Sequence, residues 1–126
     1  MVYLKPEYLE EYKKCHAAVW PEVLEQIKDS NIKDCMIQLI FSPQDVAIDF
    51  LPDSIYFLEV PRPMLFASFK WVGSDWDEDM KRMAANPKVQ EWWKMTDSYQ
   101  ESPHPGATGS ASGPWWQVAE EVFYTP

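Results

Sequence analysis

Pro21 interrupts what would otherwise read as one amphipathic helix running from Pro6 to Lys28. Proline supplies no amide proton and disfavours helical backbone at the residue before it, so the first helix must stop or bend between His16 and Trp20. A second helix then starts at Pro21 and runs to about Lys28, burying Val23, Leu24 and Ile27. On the first helix Tyr8, Tyr12 and His16 recur every fourth residue and share a face, whereas Glu10, Glu11, Lys13 and Lys14 fall largely on others. A neutral imidazole donates from one nitrogen and accepts at the other, and a tyrosine hydroxyl one turn away lies within reach. Tyr12 and His16 can therefore move a proton onto or off a small polar ligand. The same spacing also suits a histidine that only packs.

Around this pair the chain reads as alternating strands and helix pairs. Val2-Tyr3-Leu4 is a short first strand, Asp29-Ser30-Asn31 a turn, and Lys33 to Phe41 a second strand in which Gln38 is the one interior polar residue. Facing inward, Gln38 needs a ligand or a polar neighbour. Residues 42–63 hold two strand candidates, Val46 to Leu51 and Ile55 to Val60, and suit either an extra hairpin or an irregular flap. Met64 to Val72 resumes strand character. Ser74 and Asp77 mark a helix start with Trp76, Met80, Met83 and Ala84 on its apolar face, and Asn86-Pro87 marks another carrying Val89, Trp92 and Trp93. Ser98 to Pro114, with His104, is a long loop that either folds over a pocket or remains a surface excursion, and Trp115 to Tyr124 reads as a closing strand. This order predicts one α+β domain over 1–126, with an antiparallel or mixed sheet and helices on one face; a doubly wound sheet would need more regular alternation.

The formal charge of -9 opposes an extended phosphate backbone, so nucleic acid is not an expected partner. No run approaches 18 apolar residues, and the chain reads as a soluble cytoplasmic protein without a membrane partner. Seven Trp, six Tyr and six Phe suit a lined pocket or a partner interface. Cys15 and Cys35 are too few for a disulfide framework and lack metal-ligand spacing; they read as packed thiols, with one intramolecular disulfide left open and no metal site expected.

Several islands in fixed order resemble the L-rhamnose mutarotase family: Glu10-Glu11-Tyr12, His16 and Trp20-Pro21-Glu22 early, then Leu65-Phe66-Ala67, Glu91-Trp92-Trp93-Lys94, Met95-Thr96-Asp97 and Glu121-Val122-Phe123-Tyr124. The resemblance implies a ferredoxin-like dimeric α/β barrel that interconverts the α and β anomers of L-rhamnose without a metal or other cofactor. It implies that His16 is the central acid/base residue, that Tyr12 helps place the sugar, and that Trp92 and Trp93 shape the carbohydrate pocket; Gln38 and Asp97 complete the expected substrate contacts. The implied partners are a neutral or 6-deoxy monosaccharide and a second copy of the chain. Two tyrosines of the family's strand after the first helices are replaced here by Cys35 and Gln38, residues 42–63 exceed the expected turn, and the His104 loop has no catalytic counterpart. Two other functions remain beside an aldose 1-epimerase: an acid/base enzyme for a small aromatic or polyketide substrate, and a noncatalytic carbohydrate-binding dimer.

Overall fold

The computed structural model describes residues 1–40, 62–123 and 125. Both strand candidates within residues 42–63, Val46 to Leu51 and Ile55 to Val60, lie outside them, as do Phe41 and Tyr124. The chain runs β1 (Val2–Leu4), a single 3-10 turn (Pro6–Tyr8), α1 (Leu9–His16), α2 (Pro21–Asp29), β2 (Ile32–Ile40), β3 (Met64–Trp71), α3 (Trp76–Ala85), α4 (Pro87–Tyr99) and β4 (Gln100–Glu101). Helix α1 ends at His16, and Trp20 takes extended backbone (φ -59°, ψ 137°) ahead of Pro21, as the proline requires. Helix α3 is capped by Asp75, whose carboxylate accepts from the Glu78 amide, one residue past the Ser74 start expected from sequence. Asn86 caps α4 by accepting from the Lys88 amide, with Pro87 in the first turn.

The strands form one antiparallel sheet in the order β2-β3-β1-β4. It is open. The expectation of a barrel is corrected by this order: closure would require β2 to pair with β4, and these stand at opposite edges. The closing strand expected over Trp115 to Tyr124 is also not formed at residues 115–123, which lack regular secondary structure. Val118, Val122 and Phe123 there are 83 to 91% exposed. Strand-forming side chains do not make a strand without a length of edge to pair with; β4 takes the place beside β1, and the terminal run meets the chain just before β1, where Gln117 and Met1 exchange main-chain hydrogen bonds.

Val2, Leu4 and Leu65 turn from the sheet to Tyr12 of α1 and form the buried core. Trp71, an even number of residues from Leu65 on β3, donates its indole N–H to Asp79 of α3, so α1 and α3 meet the same face of the sheet. Strand β2 carries one extra residue between Lys33 and Met36 relative to β3, with Asp34 in left-handed backbone (φ 49°). The bulge reverses the alternation of β2. Ile32 and Ile37 therefore share the helix-covered face, opposite Trp71 and Ala67, while Gln38, opposite Phe66, faces the other way.

Candidate functional site

Between the helices and the sheet lies a cavity of about 920 Å³ whose wall includes Tyr12, His16, Trp92, Trp93 and Gln100. The i, i+4 spacing on α1 stacks the rings of Tyr12 and His16 at 4.1 Å between centroids. His16 sits in the last turn of α1, where its Nδ1 lies 3.0 Å from the Tyr12 carbonyl oxygen. A carbonyl only accepts, so Nδ1 carries the ring proton and donates it, and Nε2 on the opposite side of the imidazole keeps its lone pair. Burial pushes the imidazole below its usual value against a weaker upward pull from the Tyr12 carbonyl. The ring is thus a neutral base near pH 7. Cys15 lies 3.2 Å from the same nitrogen; burial pushes its thiol up, so it is protonated.

Burial likewise raises the Tyr12 phenol well above its ordinary value, with the Gln100 hydrogen bond pulling the other way. Tyr12 is 5% exposed and neutral; its hydroxyl accepts from Gln100 Nε2 at 3.4 Å. Trp92, buried on α4, meets His16 and Trp20 edge to face, each at 5.3 Å between centroids. It clamps the imidazole from behind the Tyr12 stack. Trp93 is half-buried on the cavity wall. Farther along, the wall turns apolar at Ile37, Phe69 and Trp76, the last two stacked at 5.9 Å.

The structure thus brings Tyr12, His16, Trp92 and Trp93 together, and separates two other residues expected in the site. Gln38 is exposed on the outer face of the sheet, turned there by the bulge. Asp97 holds the loop after β4: its carboxylate accepts from the Ser110 amide at 2.7 Å and the Ser110 hydroxyl at 2.5 Å, and Ser110 rather than Asp97 lines the cavity. Cys35 reaches the cavity wall, and both cysteines are free thiols. His104 lies in the loop, with Nε2 3.4 Å from the Trp116 carbonyl oxygen. Gln100 was not expected in the site. It pairs with Leu4 across β4 and β1, which turns its side chain to the helix-covered face, and nothing in the local sequence marks that short strand.

The family model described as L-rhamnose mutarotase matches residues 1–125. The chain belongs to the L-rhamnose mutarotase family. It is 33% identical over 103 residues to the L-rhamnose mutarotase of Phocaeicola vulgatus, covering 81% of this chain and 78% of that protein. The Burkholderia ambifaria protein of the same name is 25% identical over 123 residues, 98% of this chain and 91% of the relative. That of Bacteroides thetaiotaomicron is 30% identical over 103 residues, 81% of this chain and 78% of the relative. Membership puts the chain among mutarotase-type isomerases of carbohydrates. Among the described residues no helix is long and apolar enough to cross a membrane.

Proposed function

We propose that the chain catalyses exchange between the α and β pyranose anomers of L-rhamnose, or of a closely related neutral or 6-deoxy hexose, with His16 and Tyr12 as the proton-transferring pair. The observation that carries this reading is His16 itself, whose Nδ1 is tied to the Tyr12 carbonyl while Nε2 has no partner among the described residues and the ring stacks on a protonated phenol at a cavity wall. Anomer exchange requires both a base and an acid. Nε2 takes the proton of the anomeric hydroxyl as the carbonyl forms at C1 and the bond from C1 to the ring oxygen breaks. The ring oxygen takes its proton from Tyr12. Rotation about the bond between C1 and C2 presents the other carbonyl face, and closure returns each proton to the group it left. The names of the three relatives support the choice of sugar, and Trp93 supplies a ring to cover the less polar sugar face.

Cys35 stands in the cavity wall where the family resemblance expects a phenol, and a site that loses a polar ligand contact changes substrate preference sharply. Saturation-transfer NMR on a panel of aldoses tests the reading. The expected result is exchange above the uncatalysed rate with L-rhamnose at or near the top of the panel. Selective acceleration of a different aldose overturns the substrate, and binding of sugars with no acceleration of any overturns the enzyme. A homodimer belongs to the same proposal: Met36 and Ile40 stand 49 and 37% exposed on the outer sheet face, an apolar surface suited to a second copy. Sedimentation as a monomer at micromolar concentration would contradict it.

A further inference from the structure

We propose that Gln100, keyed by Trp115, is a positioning residue that fixes Tyr12 as the proton donor of the site. This rests on the mutarotase reading and deepens it. Gln100 is 4% exposed, and both ends of its amide are occupied: the Trp115 indole N–H donates to Oε1 at 2.9 Å, and Nε2 faces the Tyr12 hydroxyl at 3.4 Å. An indole nitrogen can only donate, so the amide oxygen must lie on the Trp115 side and the amide nitrogen on the Tyr12 side. The reverse orientation would set the amide N–H group against the indole N–H. With Nε2 donating to it, the Tyr12 oxygen accepts, and its own proton must point elsewhere. We place that proton on the cavity side, the wall that Tyr12 lines.

The opposite polarity would disable the pair. An acceptor in place of Nε2 would draw the phenol proton away from the cavity, leaving two acceptors, the Tyr12 oxygen and His16 Nε2, to face a sugar that needs one acid and one base. The two ends of the mechanism are therefore set by the same device: a backbone carbonyl selects the His16 tautomer, and an indole selects the Gln100 orientation that aims the phenol. Trp115 belongs to the segment after the long loop, and residues Trp115 to Glu121 also line the cavity, so this segment both walls the site and acts on the catalytic pair through Gln100.

Gln100→Glu tests the device with nearly the same shape. At neutral pH the new carboxylate accepts hydrogen bonds from both Trp115 and Tyr12 and turns the phenol O–H away from the cavity, so the catalysed exchange rate falls roughly tenfold, part of a full acid/base contribution. Acidification protonates the carboxyl and restores a donor toward Tyr12, so the ratio of variant to wild-type rate rises as pH falls. A merely structural defect would leave that ratio flat. Trp115→Phe tests the key without adding a buried charge: it frees the amide to turn, and with the two orientations equally populated the rate falls by about twofold. Wild-type rates in both folded variants, or a pH-independent ratio for Gln100→Glu, overturn the assignment of Gln100 while leaving the mutarotase reading intact. Absence of catalysed exchange by the wild type with every aldose overturns both.

Discussion

Two polar clusters lie under the helices, and they differ in what they leave unused. Around Asp79, 4% exposed on α3, every group is engaged: Oδ2 accepts from Asn31 at 2.8 Å and Trp71 at 2.9 Å, Oδ1 from Arg82, and the main-chain oxygen from Ser30 at 3.3 Å. The network extends through Gln26 to Asn86, which joins the end of α2 to the junction of α3 and α4. The hydrogen bonds from Asn31 and Trp71, ahead of Arg82, hold the Asp79 carboxyl below its usual value. Around His16 the imidazole is tied at Nδ1, Nε2 has no partner among the described residues, and the ring lines a cavity large enough for a sugar. A saturated polar cluster fixes structure. A cluster held from behind, with one donor and one acceptor presented to a cavity, is built to meet a ligand.

The sharpest way to break this comparison is to remove a functional atom from the open cluster. Tyr12→Phe keeps the ring stacked on His16 and deletes the hydroxyl; catalysed exchange should fall on the order of 100-fold, about 2.7 kcal/mol of transition-state stabilisation, while stability falls by ~1 kcal/mol for the lost Gln100 contact. Kinetics beside a denaturant titration separate the two. The closed cluster should show the reverse. Gly73→Ala would set a Cβ 2.5 Å from Asp79 Oδ2 and 2.7 Å from the Trp71 ring, so unfolding should become easier by about 2 kcal/mol with the rate constant of the folded protein unchanged.

Acid separates the clusters without a mutation. His16 is held below its unfolded value of 6.5, so the folded protein binds its proton less readily than the unfolded chain, and this contribution to stability is complete above pH 6.5 and lost as pH falls towards the folded value. Catalysis by neutral Nε2 should persist somewhat below pH 6.5 and then decline through the folded value. The Asp79 contribution is complete above its unfolded value of 3.8 and is lost only as pH falls through the lower folded one. Exchange should therefore vanish while circular dichroism still reports a folded chain. Loss of both signals together would erase the distinction. The smallest effect is expected at the latch of the long loop, where Ser110→Ala removes a hydroxyl from Asp97; stability should change by ~1 kcal/mol, with faster amide exchange confined to the loop.

The open cluster was legible in the sequence because a helix repeats at four residues and Pro21 fixes where it stops, which put Tyr12 and His16 together in advance of any coordinates. Asp79 was not, since it stands in the run Asp75-Trp76-Asp77-Glu78-Asp79 that reads as a solvated face, and its burial depends on Asn31 and Trp71 arriving from elsewhere in the chain. Gln38 needed knowledge of the bulge at Asp34, which reverses the faces of β2 without a glycine to announce it. Gln100 and the missing strand at residues 115–123 share one cause. Which segment takes the edge beside β1 is a contest between β4 and the terminal run, and strand propensity does not decide it.

The central claim is that the free nitrogen of His16 performs the proton transfer, and it is tested most directly by the rate of α to β exchange of L-rhamnose. Saturation-transfer NMR, with a no-enzyme baseline, compares the wild type with His16→Ala. The equilibrium composition is the same in every sample, so only the rate informs. The account predicts exchange by the wild type well above baseline, with the catalysed part reduced on the order of 100-fold in a variant that remains folded. A folded His16→Ala protein that exchanges the anomers as fast as the wild type would contradict it.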